Sequence, residues 1–291
     1  MNNKAKTIQI FLPDGNPRGI KIAEVTNRTV QAILIPKNLL EEAKERDEVL
    51  NVGLYFLFDN ELDGAKPQVY IGEAENSYER LKQHIKGKEF WEYAVLIVTN
   101  NKQNQFTKTD VKFLENLSFI QAKSANRFRL NQTIPTKSFV PEWRQADLVD
   151  IFETIKLLLG TLGYPIFDEL RNDMSIGEEI TKDTFYCKGR GVIAEGELVS
   201  DGFVVYKGSE MALEPVKSFK ERYSYHINRI KNMEKEGIVE VRNNKYIFLE
   251  DYLFNSPSAA ADCVLQRSSN GWLDWKDTNG KTLDEIKRRQ L

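Results

Sequence analysis

Five side chains suited to acid–base, anion-binding or metal-binding chemistry lie near one another in the chain: Tyr55, Tyr70, Arg80, His84 and Glu115. Arg80 carries a permanent positive charge on a planar group whose shape matches a phosphate. His84 stands at position i+4 from Arg80, so both side chains reach the same face of a helix. The segment VYIGEAENSYERLKQH, which ends at His84, therefore predicts a cation and an imidazole side by side just after a strand.

Glu115 has apolar neighbours at helical spacing. Val111, Phe119 and Ala122 fall on the same stripe of a predicted helix, so a carboxylate at this position is partly removed from water. Such a carboxylate needs a cation or a hydrogen-bond donor to stay ionised. A single Mg²⁺ would serve, because proteins commonly hold it through one or two carboxylates and complete its shell with water and substrate oxygens.

These residues fall on a predicted series of strand, strand, helix, strand and helix. GLYFLF and QVYIG are typical of two strands in a hairpin, and WEYAVLIVT is a third, strongly apolar strand. Helical spacing follows Gly72, where Asn76 or Ser77 is suited to cap the helix. It returns in DVKFLENLSFIQAKSAN, where Thr107 is suited to the same role. The pattern predicts a small unit of sheet and flanking helices.

Two short motifs resemble the signature of the GIY-YIG nuclease family. They are GLY at Gly53–Tyr55, in which Leu54 replaces the usual isoleucine, and YIG at Tyr70–Gly72. An arginine and a histidine on the next helix and a glutamate midway along the following one complete the likeness, which covers about Val52 to Asn131. The resemblance implies a metal-dependent endonuclease built on a small three-stranded sheet flanked by helices.

The resemblance also implies roles for individual residues. In the family the glutamate holds a divalent ion, and the tyrosine hydroxyls orient or deprotonate the attacking water. Carried over, Glu115 is the ligand of Mg²⁺ (or Mn²⁺), Tyr55 the general base and Tyr70 a hydrogen-bond partner near the metal-bound water. Many family sites also use an asparagine after the glutamate helix, and both Asn126 and Asn131 qualify.

The stretch KSANRFRLNQTIPTK, directly after the predicted glutamate helix, is a candidate for substrate contact. Arginines with an interleaved aromatic residue suit a nucleic-acid backbone. An alternative is a solvated helix end whose cations interact favourably with the helix dipole. The candidate substrate-binding residues are Lys123, Asn126, Arg127, Arg129 and Asn131.

The last part of the chain resembles a second module. FNSPSAAADCVLQRSSNGWLDWKD, which begins at Phe254, and SDGFVVYKGSEM, which begins at Ser200, are similar to a small domain of unsettled function that often closes GIY-YIG proteins. Similar modules accompany restriction and modification systems. Ser256 is suited to cap a helix, while Trp272 and Trp275 are suited to stack on a base or to fill a core.

These patterns predict a protein of the α/β (α+β) class whose chain has four segments. Residues 1–50 form a β-rich segment, 51–140 the nuclease-like domain, 141–199 a helical linker and 200–291 a separate α+β recognition-type domain. The proline-containing stretch NQTIPTKSFVPEW marks the boundary after the second segment.

Composition limits the classes of protein that the chain represents. The 41 Lys and Arg against 43 Asp and Glu give a formal net charge of −2, so contact with nucleic acid depends on local patches. The apolar runs are too short for a membrane span, and the first residues lack the apolar core of a signal peptide. Cys187 and Cys263 stand far apart without a partner motif, which argues against a disulfide framework or a zinc site. We expect a cytoplasmic protein with no membrane partner.

The sequence as a whole favours a metal-dependent endonuclease that acts on nucleic acid, with DNA as the favoured substrate. One alternative is a catalytically inactive nucleic-acid-binding or modification-sensing protein that keeps the GIY-YIG fold, and a weaker one is a structural interaction protein. Glu115 favours the enzyme, since a protein that only binds has no need of the carboxylate. The oligomeric state stays open.

Overall fold

The computed structural model describes residues 5–59, 65–101, 103–131, 133–170, 184–222 and 224–288. Their contacts divide the chain into two compact units. The N-terminal unit comprises residues 1–62 and 66–168, and the C-terminal unit comprises residues 63–65 and 169–291. No helix within the described ranges is both long enough and apolar enough to cross a membrane.

One antiparallel sheet organises the N-terminal unit. Its strands are β1 (Ile8–Phe11), β2 (Lys21–Val25), β3 (Val30–Pro36), β4 (Gly53–Asp59), β5 (Val69–Ala74) and β6 (Trp91–Thr99). They lie in the order β1-β2-β3-β6-β4-β5, so β5 is an edge strand. All pairings between these six strands are antiparallel.

Helices cover both faces of this sheet. They are α1 (Leu40–Ala43), α2 (Ser77–Gly87), α3 (Lys108–Ala125) and α4 (Glu142–Thr161), with short 3-10 helices at Lys37–Leu39 and Asp47–Leu50. Residues of α3 and α4 pack with Phe56 and Ile97 on one face, while α1 and α2 pack with Tyr55 and Leu96 on the other. The inner strands are therefore apolar on both sides, as a doubly covered sheet requires.

The expected three-stranded sheet is wrong in extent, because three further strands continue it. β3 pairs with β6 from Val30 opposite Thr99 to Pro36 opposite Tyr93. Every residue of β3 is buried. Such burial requires neighbouring strands on both sides and helices on both faces of the sheet, which an isolated β-rich segment lacks. Predicted segments 1–50 and 51–140 thus share one unit, to which the predicted linker 141–199 contributes α4. The antiparallel pairing makes the class α+β rather than α/β.

The helices that carry the candidate residues begin where the sequence indicates. Asn76 rather than Ser77 caps α2, since its side chain accepts a hydrogen bond from the Glu79 amide at 3.1 Å. Thr107 caps α3 and forms a capping box with Asp110. Asp110 is buried and also accepts bonds from Arg144 of α4 at 3.1 and 2.9 Å. These bonds hold the pKa of Asp110 below its ordinary value although burial acts in the opposite direction. The start of α3, and with it the position of Glu115, is firmly anchored.

The C-terminal unit contains two antiparallel sheets. The first has the order β13-β9-β8-β7-β14, with β7 (Phe185–Gly189), β8 (Val192–Val199), β9 (Gly202–Val205), β13 (Tyr252–Phe254) and β14 (Trp275–Lys276). The second has the order β10-β12-β11, with β10 (Glu210–Ala212), β11 (Val239–Arg242) and β12 (Lys245–Phe248). The helices are α5 (Lys217–Arg222), α6 (Ser224–Lys235), α7 (Pro257–Leu265), α8 (Gly271–Asp274) and α9 (Leu283–Lys287). The turn between β11 and β12 lies at Asn243 and Asn244, with φ of 50° and 61°.

The SPSAAA and NGW elements of the C-terminal motif hold α7 and α8 together. Ser256 caps α7 by accepting from the Ala259 amide at 3.1 Å, as predicted. The Trp275 indole is fully buried and donates to the Pro257 carbonyl at 3.0 Å, so this tryptophan belongs to the core. A Cβ on Gly271 would overlap the Pro257 backbone, which explains the glycine at the contact. Trp272 is half-buried, with the Arg288 guanidinium 3.7 Å from its ring centre.

Gly271→Ala should therefore destabilise the C-terminal unit by about 2 kcal/mol or more, since rigid backbone cannot move aside as a side chain can. Thermal unfolding of the full chain would measure the loss. Gly189→Ala is the matched control, because its Cβ meets only the flexible Leu265 side chain, at 3.1 Å. Equal melting temperatures for the two variants would contradict the proposed contact.

Candidate active site

Four of the predicted residues form one cluster between β4, β5 and α2. The Tyr55 side chain is fully buried, and its hydroxyl lies 2.8 Å from His84 Nε2. Arg80 Nε donates to the same hydroxyl oxygen at 3.4 Å. The Tyr70 ring stacks against Tyr55 with centroids 6.2 Å apart and lies 5.4 Å from the imidazole. The hydroxyl of Tyr55 is thus in contact with both a base and a permanent cation.

Strand register explains how Tyr55 reaches α2. Tyr55 of β4 pairs directly with Gly72 of β5, so their side-chain positions lie on the same face of the sheet. A Cβ on Gly72 would collide with the Tyr55 phenol and approach the Tyr70 ring. The glycine of the YIG motif therefore leaves the space that the tyrosine of the GLY motif occupies.

Burial sets the protonation of the tyrosine–histidine pair. It lowers the pKa of His84 to about 4, with the positive charges of Arg80 and Lys88 acting in the same direction, so the imidazole is neutral at pH 7. Burial also raises the pKa of Tyr55 above its ordinary value, and the hydrogen bond from Arg80 offsets this only in part. We assign the hydroxyl proton to the bond with His84 Nε2, because the Tyr55 oxygen already accepts from Arg80.

Glu115 lies on α3, which packs on the face of the sheet opposite α2. Its side chain is half-buried, and burial followed by the nearby Glu73 raises its pKa to about 7. Lys112, Lys108 and Arg80 act in the opposite direction. The Glu115 charge in turn contributes to the high pKa of Tyr55. Among the described residues, no hydrogen bond or ion pair joins Glu115 to the side chains of Tyr55, Arg80 or His84.

Glu73 is a second acidic group at this position that the sequence analysis missed. It belongs to β5, where its neighbour Ile71 packs against the side of the sheet covered by α3. Its Oε2 lies 3.0 Å from Lys108 Nζ, and Lys108 also contacts Glu75 at 3.4 Å. The signal available in the sequence was its position directly after the YIG motif.

The residues predicted to bind substrate largely have structural partners. The carbonyl of Arg129 accepts from the Val69 amide at 2.9 Å, and Asn131 Oδ1 accepts from the Ile71 amide at 3.2 Å. This segment therefore runs along the outer edge of β5. The side chain of Arg129 donates to Gln68 Oε1 at 2.6 Å.

The other three residues lie at or near the end of α3. Arg127 Nε donates to the Asp168 carbonyl at 2.6 Å. Asn126 ends α3 with φ of 55°, and its carbonyl and Oδ1 both accept from Lys66 at 2.9 Å. Lys123 is exposed on the last turn. Of the two asparagines, Asn131 is the one that lies beside the YIG strand.

The carboxylates fit a metal ion held mainly by water and substrate, rather than one enclosed by protein. Among the residues that the structure describes, no group of three or more His, Cys, Asp or Glu side chains converges. Glu115 is a half-buried acid with a raised pKa and a neighbouring carboxylate, so a cation at its oxygens would relieve both effects. Mg²⁺ is commonly bound through one or two carboxylates, which matches this arrangement.

Comparison with known proteins finds a match in the last third of the chain and none in the N-terminal unit. Residues 185–287 match the family model described as a domain of unknown function (DUF4357). No curated protein and no solved structure matches the chain. The match begins with β7 and extends through α9, and it agrees with the expected C-terminal domain of unsettled function. The likeness of the N-terminal unit to GIY-YIG nucleases stays a prediction.

Gly72→Ala should disturb the site directly, because the new methyl group forces the Tyr55 phenol away from His84. We expect a loss of about 1–3 kcal/mol in the free energy of unfolding, the usual range for overpacking. Gly87→Ala, at the open end of α2, has no atom within 4 Å of its Cβ and should leave stability unchanged or raise it. Denaturant titration of both variants measures the difference. Equal effects would show that the Gly72 contact is not tight.

Glu115→Gln should stabilise the metal-free protein more at pH 8 than at pH 5. A carboxyl whose pKa rises on folding, here from 4.5 to about 7, loses stability as pH increases through that interval. Glutamine removes this loss, so the melting-temperature advantage of the variant should grow by on the order of 3 °C. Melts in excess chelator at both pH values test this. The exposed Glu79→Gln serves as control, and an advantage for Glu115→Gln that does not change with pH would contradict the shift.

Proposed function

We propose that the protein is a metal-dependent endonuclease whose N-terminal unit hydrolyses phosphodiester bonds in nucleic acid, with DNA as the favoured substrate. The observation that carries the proposal is the Tyr55 hydroxyl, which contacts neutral His84 at 2.8 Å and Arg80 at 3.4 Å. Structural roles alone do not explain a buried neutral base and a permanent cation on one tyrosine hydroxyl, together with an acid of raised pKa, Glu115, on α3. The resemblance to GIY-YIG nucleases supports the same reaction.

The cluster can move a proton from water without an ionised tyrosine. Tyr55 keeps its proton at neutral pH because burial raises its pKa. His84, neutral at that pH, is able to take this proton at Nε2 while the Tyr55 oxygen, which is buried in the substrate-free protein, takes one from a water that enters with the substrate. The hydroxide then attacks phosphorus and the bond from phosphorus to the leaving oxygen breaks. Because the His84 pKa is only about 4, His84 readily gives its proton to solvent or to the leaving oxygen after the reaction.

Arg80 and Glu115 supply the charges that this reaction needs. The Arg80 guanidinium is permanently charged and suited to a phosphate oxygen, and its Nε limits negative charge on the Tyr55 oxygen during proton transfer. Glu115 would hold Mg²⁺ or Mn²⁺, with Glu73 nearby. When bound, such an ion stabilises charge on the phosphate and on the leaving oxygen.

The C-terminal unit, on this proposal, contributes recognition of nucleic acid rather than chemistry. Support comes from its likeness to modules that accompany restriction and modification systems. The residues that the proposed chemistry uses all lie in the N-terminal unit.

Purified protein should nick or linearise plasmid with Mg²⁺ or Mn²⁺ and should be inactive in excess chelator. We expect Glu115→Gln and Tyr55→Phe each to lower the rate by about 100-fold or more, since each removes a group required in the transition state. His84→Gln should lower it by a similar or smaller factor. Gel analysis of plasmid forms over time provides the measurement.

Glu79→Gln, an exposed acid on α2, is the matched control and should cleave at the wild-type rate. Full activity of Glu115→Gln, or of the wild type in chelator, would rule out the proposed metal role. Binding of nucleic acid without cleavage under any metal condition would instead favour the catalytically inactive binding protein.

A further inference from the structure

A groove of about 460 Å³ opens on the C-terminal unit beside β7 and β14. Its lining includes the side chains of Tyr186 and Lys188 from β7, Lys276 from β14, and Asp274, Asp277 and Thr278 beside them. The volume falls in the range of cavities that hold small ligands or single residues of a polymer. Within the C-terminal motif, Trp275 fills the core, while Asp274, Lys276 and Asp277 beside it line this groove.

Strand pairing fixes the geometry of the groove. Tyr186 pairs directly with Lys276, so their side chains leave the sheet on the same face. Lys188 is two residues along β7 and therefore lies on that face as well. Its ammonium group is 5.7 Å from the centre of the Tyr186 ring. The Tyr186 hydroxyl donates to Glu195 Oε1 at 3.1 Å, which holds the ring in one orientation.

Of the two acids that line the groove, Asp277 accepts hydrogen bonds from backbone amides and Asp274 pairs with an arginine, whereas the two lysines have no carboxylate partner among the described residues. Asp277 Oδ1 accepts from the amides of Asn279 and Lys281 at 2.9 and 2.8 Å, and Asp274 forms an ion pair with Arg267 at 3.2 Å. In the ranges that the structure describes, neither Lys188 nor Lys276 forms an ion pair with a carboxylate. Two ammonium groups without a carboxylate partner thus stand on paired strands beside the Tyr186 ring, while Asp277 keeps its negative charge in the same lining.

We infer that this groove binds a single-stranded segment of nucleic acid, with Lys188 and Lys276 at its phosphates and the Tyr186 ring against a base. Lysines that neutralise phosphates together with an aromatic ring that stacks a base form the usual combination for single strands. The choice of nucleic acid over other phosphorylated ligands rests on the proposed function. The Thr278 hydroxyl offers a further hydrogen bond to the sugar–phosphate backbone.

Fluorescence anisotropy tests the inference with the full chain, a labelled single-stranded DNA oligonucleotide and excess chelator, so that cleavage plays no part. Lys188→Ala/Lys276→Ala should bind about tenfold more weakly at low salt and should lower the slope of log affinity against log salt by about 1.4, or 0.7 for each lost phosphate contact. Tyr186→Ala should weaken binding by about fivefold or more while leaving the salt slope unchanged. Lys188→Arg/Lys276→Arg should retain wild-type affinity.

Lys217→Ala/Lys220→Ala, which removes two exposed lysines of α5 in the same unit, is the matched control and should bind as the wild type does. Equal affinities and salt slopes for the two double variants would overturn the inference. So would complete competition by inorganic phosphate or a mononucleotide at the concentration of the oligonucleotide, because the groove would then bind free phosphate. The outcome is independent of the nuclease assay, since binding through these lysines can hold in a protein that never cleaves.

Discussion

The missing side chain at Gly72 is the constraint on which the candidate site depends. β4 and β5 pair so that Tyr55 stands opposite this glycine, and the Tyr55 phenol fills the space that any Cβ would take. From there the hydroxyl meets His84 and Arg80, which project from one side of α2. The two motifs that look separate in the sequence are therefore one contact in the fold. A substitution in either motif acts on both.

Burial gives the site its chemical character, because it shifts a base and an acid in opposite directions. The pKa of His84 falls to about 4, and that of Glu115 rises to about 7. A structural ion pair would show the reverse, since a paired acid has a lowered pKa, as Asp110 beside Arg144 has. Catalytic sites commonly contain groups whose pKa is shifted away from the ordinary value, and here one of the two, His84, contacts a tyrosine hydroxyl.

The conspicuous residues of the C-terminal motif serve packing. The serine, alanine, glycine and tryptophan residues that make the motif conspicuous hold α7 against α8, and Trp275 lies in the core. The lysines that line the groove, Lys188 on β7 and Lys276 on β14, are not marked by any sequence pattern of their own, although Lys276 falls inside the motif. A net charge of −2 for the whole chain therefore says little about where an anion would bind.

The sequence by itself determined the local features. The bounds of β6 and the caps of α3 and α7 follow from short-range preferences that hydrophobic spacing and side-chain hydrogen bonds reveal. It also brought Tyr55, Tyr70, Arg80, His84 and Glu115 forward as one candidate set. Only the tertiary structure decided that β1 to β3 continue the same sheet, that Glu73 lies beside Glu115, and that Asn131 rather than Asn126 borders β5. These depend on which distant strands pair and which edge stays open, and no local pattern records that choice.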